Sequence, residues 1–391
     1  VVLLKRAYKI EIKPTVEQKV KIHQTIGVCR FIYNFYIAHN KEVYEAEKLF
    51  ISGMGFSKWL NNEFVPNNPN YSWIKDVSSK AVKQAIMNGD KAFTKFFKGE
   101  AGFPKFKKKN KQLVKAYFPK NNKTDWTLDR HRVKIPTLGW VRLKEFGYIP
   151  TGSKVTSGTL SKRANRYYVS ILVEEYAKAD DKKQPYTEGI GVDLGLKDFA
   201  VYSNGAVKKN INKTSRVRKL EKKLTREQRR LSRKYESLKK LQKIEKGEAT
   251  RRNIQKQITK VQKLHQSLNN IRTDYINKAV SELIKQKPSF MTIEDLNVSG
   301  LMKNRHLAKA VQQQKFYEFR TKLTSKASIH GIEVRIVDRW YPSSKTCSAC
   351  RAHNKDLKLS DRTYKCSCGL VIDRDLNASI NLANAKEYKT A

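Results

Sequence analysis

The stretch EGIGVDLGLKDFAVYSNGAVKKN, residues 188–210, predicts three consecutive strands joined by two tight turns. Asp193 lies inside the apolar run at 190–194, so its strand is expected to be buried. A buried carboxylate is costly unless it is paired, protonated or bound to a cation. Gly191 and Gly195 remove side-chain bulk on either side, which would leave room for a substrate backbone to approach. One aspartate on a core strand does not define a site.

Two further acidic residues lie at element ends much later in the chain. The apolar run SFMTI at 289–293 predicts a strand that ends at Glu294, and Asp375 begins the final predicted helix. With a strand expected at 332–338, the order is strand, strand, strand, helix, strand, helix, strand, helix. This order is typical of the RNase H-like fold, in which such carboxylates meet and hold two Mg²⁺ or Mn²⁺ ions about 3.5–4 Å apart.

These residue types match the needs of phosphodiester hydrolysis. One hard cation must activate water, another must stabilise the leaving oxygen, and hard cations take oxygen ligands. Carboxylates also cancel the metal charge, so that the site can accept a phosphate. The alternative is that the three carboxylates are separate structural or surface residues. That is a natural explanation for any one of them alone, but a weak one for all three in this order.

The composition points to a polyanionic partner. The 391-residue chain has 81 Lys and Arg against 36 Asp and Glu, and its formal net charge of +45 would be self-repelling without neutralisation. Nucleic acid is the expected partner, through phosphate contacts that weaken with salt. The alternative is a merely soluble basic protein or one of ribosomal type. No apolar run approaches the ~18 residues of a membrane helix, and the N-terminus is too quickly charged for a secretory signal.

Four of the five cysteines form two close pairs, Cys347 with Cys350 and Cys366 with Cys368. This pattern is typical of structural, tetrahedral zinc in a reducing compartment, so we expect a cytoplasmic, nucleoid-associated protein. The second pair has a single intervening residue, so His353 could substitute for a thiol that does not reach. Free buried cysteines, or a site that has lost its metal, are the alternative. The zinc would tie down the loop before the last helix.

The N-terminal half predicts strands that flank a helical segment. Residues 3–13 alternate apolar and polar side chains and predict a strand. Thr15 and Gln18 form a plausible capping box for a long helix that follows. Short alternating runs at 125–177 have hairpin spacing and predict a small β-barrel.

Basic segments connect these elements. Lysines alternate with aromatic side chains around 98–118, which suits phosphate contacts combined with base stacking. A polar, unperiodic stretch at 176–188 predicts a linker. Residues 213–285 predict a very basic helical hairpin with Gly247 at its turn, and the excess of Lys and Arg over Glu argues against a balanced coiled coil.

Several long motifs allow a comparison with a known family. They are GVDLGLKDFAV, IEDLNVSGLMKNRHLAKA, YPSSKTCSAC and DRDLNASIN, with PTVEQKVKIHQTIGVCRFIYN and GFPKFKKK nearer the N-terminus. Together they resemble the TnpB family of transposon-encoded, RNA-guided nucleases, which is related to type V CRISPR effectors. The resemblance implies that Asp193, Glu294 and Asp375 are the three RuvC carboxylates. Asp373 would be their neighbour, although the sequence leaves an exchange of roles between Asp373 and Asp375 open.

The resemblance also implies a domain layout. It gives a wedge β-barrel from 1–12 and 110–180, a helical recognition domain at 13–109, a RuvC-like nuclease domain from 186–345 and 372–391 with a helical insertion at 213–285, and a zinc ribbon or target-loading lobe at 346–371. The wedge and recognition domains would read a short duplex motif beside the target. Nucleic-acid contacts are expected from Ser79, Lys80, Lys83, Gln84, Lys105 and Lys107.

The expected function is therefore RNA-guided, divalent-metal-dependent cleavage of double-stranded DNA, with two Mg²⁺ or Mn²⁺ ions, one structural Zn²⁺ and a guide RNA. Base pairing with the guide would read sequence, so the protein need recognise only helix shape and backbone. The rivals are a guided DNA-binding repressor that does not cut, an unguided RNase H-like transposase or junction nuclease, and a plain RNA-binding protein. The nearest alternative is a compact CRISPR effector, which only the gene neighbourhood would distinguish from a transposon protein.

Overall fold

A computed structural model describes residues 2–109, 115–120, 126–177, 188–240, 248–358 and 360–391. The chain divides into two units, Val1–Asp181 and Lys182–Ala391. The core of the predicted linker at 176–188 and the predicted hairpin turn at Gly247 lie outside the described residues.

In the first unit, the N-terminal strand joins one sheet with strands from 115–177. The sheet has seven strands in the order β2-β6-β7-β1-β5-β4-β3. Its strands are β1 Val2–Lys13, β2 Lys115–Pro119, β3 Thr127–Leu128, β4 Arg132–Ile135, β5 Gly139–Leu143, β6 Lys154–Arg163 and β7 Arg166–Ala177. Tyr8, Ile10 and Ile12 of β1 are buried because a strand directs alternate side chains to one face. The antiparallel pairing of β1 with β7 places these side chains in the first unit's core.

Helices fill the sequence between β1 and β2. They are α1 Val16–Glu47, α2 Gly53–Trp59, α3 Val65–Asn67 and α4 Ser79–Phe97, with a π-turn at Leu60–Phe64 and a 3-10 segment at Pro69–Asp76. The predicted capping box is confirmed, because the Gln18 amide donates to the Thr15 hydroxyl and the Thr15 amide donates to the Gln18 side chain. Buried residues of α1 recur every three or four positions, as expected for one face of a helix.

The second unit has the predicted RNase H-like order of elements. Its six-stranded sheet runs β10-β9-β8-β11-β12-β15. Those strands are β8 Ile190–Leu194, β9 Asp198–Tyr202, β10 Val207–Lys209, β11 Phe290–Glu294, β12 Glu333–Val337 and β15 Lys389–Thr390, while β13 Thr363–Lys365 and β14 Val371–Asp373 form a separate hairpin. Strand β11 lies parallel to both β8 and β12, and the other pairings are antiparallel.

Helices cover both faces of this sheet. They are α5 Ser215–Lys240, α6 Glu248–Lys285, α7 Val298–Leu301, α8 Ala308–Gln314, α9 Phe316–Ile329 and α10 Arg374–Ala383. Val192 of β8 packs with Leu283 of α6 and Phe319 of α9 in one core cluster. Gly191, on the opposite face of β8, lies against α10. The main core cluster is therefore built on one face, and the acidic residues lie on the face that α10 covers.

The basic helices α5 and α6 pack together around a buried carboxylate. Glu227 of α5 is 1% exposed, and it accepts a hydrogen bond from Gln257 of α6 at 2.9 Å. Arg230 and Lys260 each lie 3.2 Å from the same carboxylate. This network lowers the pKa of Glu227 to about 2, chiefly through the Gln257 hydrogen bond. No helix within the described ranges combines the length and apolarity needed to cross a membrane.

Candidate active site

Two of the predicted acidic residues lie at the ends of neighbouring parallel strands: Glu294 is the last residue of β11, and Asp193 is the last but one of β8. Strands β8 and β11 pair with Val192 opposite Ile293, and continuing that register by one residue brings Asp193 next to Glu294. The two side chains point to the same face because each lies one residue beyond this pair. Both are half-buried.

Helix α10 brings Asp375 over the same place. A Cβ on Gly191 would meet main-chain atoms of Ser379 and Ala383, so α10 lies directly on this glycine. Asp193 is two residues further along the same face of β8, and Asp375 is one helical turn before Ser379. The expectation that Gly191 leaves room for a substrate backbone was wrong, because the backbone of α10 occupies that space.

The charges of Glu294 and Asp375 act on Asp193. Burial raises the pKa of Asp193 well above its usual range, and the negative charges of Glu294 and Asp375 raise it further, while Arg374 opposes them. Burial also raises the pKa of Glu294, although a hydrogen bond from Ser343 works in the other direction. Such a group of crowded acidic side chains is typical of functional sites.

Asp373 and Asp375 differ in their surroundings. Asp373 is the N-cap of α10, and its side chain accepts hydrogen bonds from the amides of Asp375 at 2.9 Å and Leu376 at 3.1 Å. Asp373 is exposed, whereas Asp375 is half-buried and lies 3.2 Å from the guanidinium of Arg374. Capping already uses the Asp373 carboxylate, which favours Asp375 as the third acidic residue of the site.

The acidic side chains suit a hard cation by their chemistry. All three offer carboxylate oxygens, the ligand atoms that hard cations take. Burial raises the pKa values of two of them, Asp193 and Glu294. Within the described ranges, only the four cysteines bring three or more ligand atoms within 4.8 Å of one another, so the three carboxylates are spaced more widely. Glu294 is held by the Ser343 hydroxyl at 2.5 Å.

The four cysteines form a compact cluster. Their sulfur atoms all lie within 4.8 Å of one another, with Cys347 3.7 Å from Cys368 and Cys350 3.5 Å from Cys366. Tetrahedral zinc with Zn–S bonds of 2.3 Å places its sulfurs about 3.8 Å apart, so this donor set fits zinc. The cluster is complete without His353, whose backbone instead pairs with Thr346.

Two asparagines that sequence reasoning missed connect the cluster to α10. Asn377 accepts a hydrogen bond from the Ser348 amide at 2.9 Å and donates to the Thr346 carbonyl at 2.7 Å. Asn381 donates to the carbonyls of Ser343 and Thr346. Both asparagines are fully buried. They hold the loop that carries Cys347 against the helix that carries Asp375.

The predicted nucleic-acid contacts lie in the first unit. Ser79 and Lys80, at the start of α4, line a cleft of about 440 Å³ together with Lys134. Further along α4, Lys83 is exposed and Gln84 donates a hydrogen bond to Asn88.

The remaining two predicted contacts differ from each other. Lys105 is exposed. The amino group of Lys107 instead lies 3.5 Å from the centre of the Tyr33 ring, and burial lowers the pKa of this lysine.

Three family models match this chain. The model described as "Probable transposase" matches residues 170–305, "Cas12f1-like, TNB domain" matches 316–382, and "Helix-turn-helix domain" matches 4–48. In this chain the last of these segments is strand β1 followed by the single long helix α1.

Curated relatives match along nearly the whole chain. "Putative RNA-guided DNA endonuclease" of Streptomyces pristinaespiralis is 29% identical over 98% of this chain and 89% of its own length. "Putative RNA-guided DNA endonuclease InsQ" of Escherichia coli (strain K12) is 29% identical over 97% of this chain and 92% of its own.

A solved structure shares the fold. The protein of a Cas12f1-sgRNA-target DNA complex, determined by cryo-EM, matches with a TM-score of 0.57 and 13% identity, over 99% of this chain and all of the other. The motifs, the family models and the relatives agree, and the chain is similar to the TnpB family.

Proposed function

We propose that this protein is an RNA-guided, divalent-metal-dependent DNA endonuclease of a transposable element, which cuts DNA complementary to its guide next to a short recognised motif. The observation that carries the proposal is the placement of Asp193 beside Glu294 with the first turn of α10 above them. The names of the two relatives that match nearly the whole chain, both "Putative RNA-guided DNA endonuclease", support it.

Asp193, Glu294 and Asp375 would hold two divalent cations, Mg²⁺ or Mn²⁺. When bound, such ions activate water and stabilise the leaving oxygen of a phosphodiester. The protein's own residues hold the three carboxylates in place: the parallel pairing of β8 with β11 fixes Asp193 and Glu294, and the packing of α10 on Gly191 fixes Asp375. The Asp373 cap fixes the first turn of α10.

The rest of the chain would bind nucleic acid and position it. The charge of +45 suits a guide RNA and a target duplex, whose sequence is read by base pairing. We assign the wedge domain to 1–12 and 110–180, the recognition domain to 13–109 and the nuclease domain to 186–345 and 372–391. The lobe at 346–371, with one structural zinc on its four cysteines, would load target DNA into the site.

An unguided transposase is the second candidate, since the model matching 170–305 is described as a transposase. The two functions differ in their need for RNA. An unguided enzyme would bind and cut DNA after all RNA has been removed, and it would not follow a change of guide. A guided repressor would bind its target and leave it intact.

The deciding experiment has two steps. The RNA that co-purifies with the full chain is sequenced, and its variable end is then replaced so that it pairs with a chosen DNA. We expect Mg²⁺-dependent cutting that moves with the new guide, and Asp193→Ala should remove cutting while guide-dependent binding persists. Cutting that is independent of RNA, or unaffected by Asp193→Ala, would refute the proposal.

A further inference from the structure

Trp340 is exposed to an unusual degree. Its relative exposure is 84%, whereas Trp126 in the first unit is 2% exposed. Tryptophan is highly buried on average because its large ring gains much from leaving water. No aromatic ring or cation packs against Trp340 among the residues that the structure describes. An indole this exposed to water indicates a surface that a binding partner covers.

The loop that carries Trp340 is held firmly beside the acidic site. The Trp340 amide donates to the Asp338 side chain at 2.9 Å. On one side, Arg339 binds the Asp295 carboxylate at 3.1 Å. On the other, the Ser343 hydroxyl donates to Glu294 at 2.5 Å. The indole is thus presented by a fixed backbone, three residues from a side chain that contacts the site.

The surroundings favour a nucleobase over another protein as the partner. The segment that carries the indole, between the end of β12 and β13, has an excess of basic side chains: six Lys and Arg against three Asp, at 338, 356 and 361. Exposed aromatic rings combined with basic side chains are how proteins bind single strands, since every base has a face on which a ring can stack. A duplex keeps its bases stacked on one another, so the indole requires an unpaired strand.

We propose that the Trp340 indole stacks on an unpaired base of the DNA strand that enters the acidic site, and so fixes which phosphate lies beside Glu294. This inference rests on the proposed function. Trp340 is then a positioning residue: it acts by aligning the strand and takes no part in the reaction itself.

The first test follows stacking without cleavage. Complexes of full-length Asp193→Ala protein, guide RNA and target DNA carry 2-aminopurine at one position at a time in the strand to be cut. Stacking quenches the fluorescence of 2-aminopurine. At one position we therefore expect the fluorescence to be low with Trp340, to rise with Trp340→Ala and to stay low with Trp340→Phe. Tyr317→Ala, which removes an aromatic side chain that is 73% exposed elsewhere in the same unit, should change nothing.

The second test follows cleavage by the otherwise wild-type chain in a single turnover. Trp340→Ala should slow cutting about tenfold, as loss of one stacked base predicts, and should spread the cut over neighbouring phosphates. An abasic site at the position found by fluorescence should slow the wild-type protein to the same extent and add nothing to Trp340→Ala.

Three outcomes would overturn the inference. The first is that no position responds to Trp340→Ala in the fluorescence scan. The second is that the abasic and Trp340→Ala effects on rate multiply. The third is that Trp340→Ala abolishes self-association and leaves both DNA signals unchanged, which would make the indole a protein contact. Absence of any guided cutting by the wild-type protein would instead refute the proposed function, so the two failures are distinguishable.

Discussion

A Cβ atom on Gly191 would lie 1.9 Å from the main-chain oxygen of Ser379, far inside van der Waals contact. Helix α10 can therefore approach strand β8 this closely only because residue 191 has no side chain. Asp193 lies two residues further along the same face of the strand, and Asp375 lies one turn before Ser379. The glycine thus sets the distance between two carboxylates that are 182 positions apart in the chain.

Gly191→Ala should therefore damage both stability and the site. The added methyl group meets backbone atoms, which cannot rotate away, so we expect the free energy of unfolding to fall by about 3 kcal/mol or more. Guided cleavage should fall with it, because α10 must move. Gly27→Ala is the matched control, since a Cβ at Gly27 in α1 meets nothing within 4 Å. Denaturant unfolding measures the first effect, and equal stability of the two variants would contradict it.

Asp193→Asn should separate cleavage from folding. The amide has nearly the shape of the carboxylate and removes its repulsion with Glu294 and Asp375, so the metal-free variant should be at least as stable as the wild type. Cleavage should fall at least about 1,000-fold, because the contribution of divalent ions to such reactions is worth several kcal/mol. Single-turnover assays measure this fall, with thermal unfolding in parallel. Loss of stability equal to that of Gly191→Ala would mean that Asp193 has a structural role.

The sequence predicted those features of the fold that depend on residues close together in the chain. Asp193 lies within a short apolar run and Glu294 follows one, so their place on strands could be predicted, and the chain order of strands and helices then indicated the fold. The contacts of Asn377 and Asn381 could not be predicted, because burial of an asparagine depends on which distant carbonyl it meets. Their spacing of four residues on one helix face was the only available sign. Lys107 similarly gave no sign that it would lie over Tyr33.

Zinc removal should disorder α10 as well as the cysteine lobe. Purified protein should contain close to one zinc per chain, and a strong chelator should raise amide exchange in α10 and abolish guided cleavage. The physical route is through Asn377, which joins the Cys347 loop to the helix. Zinc-free protein that cuts at the wild-type rate would contradict this.

The variant Asn377→Ala tests whether this side chain connects the Cys347 loop to α10. Asn377→Ala leaves the part-buried Ser348 amide without its side-chain partner, at a cost of about 1 kcal/mol. Thr346 loses less, because Asn381 still donates to its carbonyl. The variant should retain zinc and still lose cleavage. Asn384→Ala, at the exposed end of α10, is the control and should retain both.

Acid should weaken the packing of α5 on α6 through Glu227. Its pKa is lowered from 4.5 to about 2 in the folded protein. The folded state therefore favours the charged carboxylate, and the resulting stability is present above pH 4.5 and is lost as the pH falls towards 2. Helix content followed by circular dichroism through this window should decline in the wild type.

Glu227→Gln provides the test of that assignment. The Glu227→Gln variant should be less stable than the wild type at pH 7, because Arg230 and Lys260 no longer face a charged carboxylate. Its stability should also no longer fall between pH 4.5 and 2 through this residue. Glu236→Gln changes an exposed residue of the same helix and should behave as the wild type. Equal acid dependence of the two variants would show that other carboxylates govern the transition.

Thr292 allows the face beneath α10 to be stabilised without touching the carboxylates. It lies on β11 opposite Gly191, is 1% exposed, and its hydroxyl finds no hydrogen-bond partner within the described ranges. Thr292→Val keeps the branched shape and removes the unpaired hydroxyl, so the free energy of unfolding should rise by about 1 kcal/mol with cleavage unchanged. Thr25→Val is the opposite case, because that buried hydroxyl donates to the Lys21 carbonyl at 2.8 Å, and it should destabilise. If Thr292→Val destabilises as much as Thr25→Val, the Thr292 hydroxyl has a partner such as a buried water, and α10 packs on a hydrated surface.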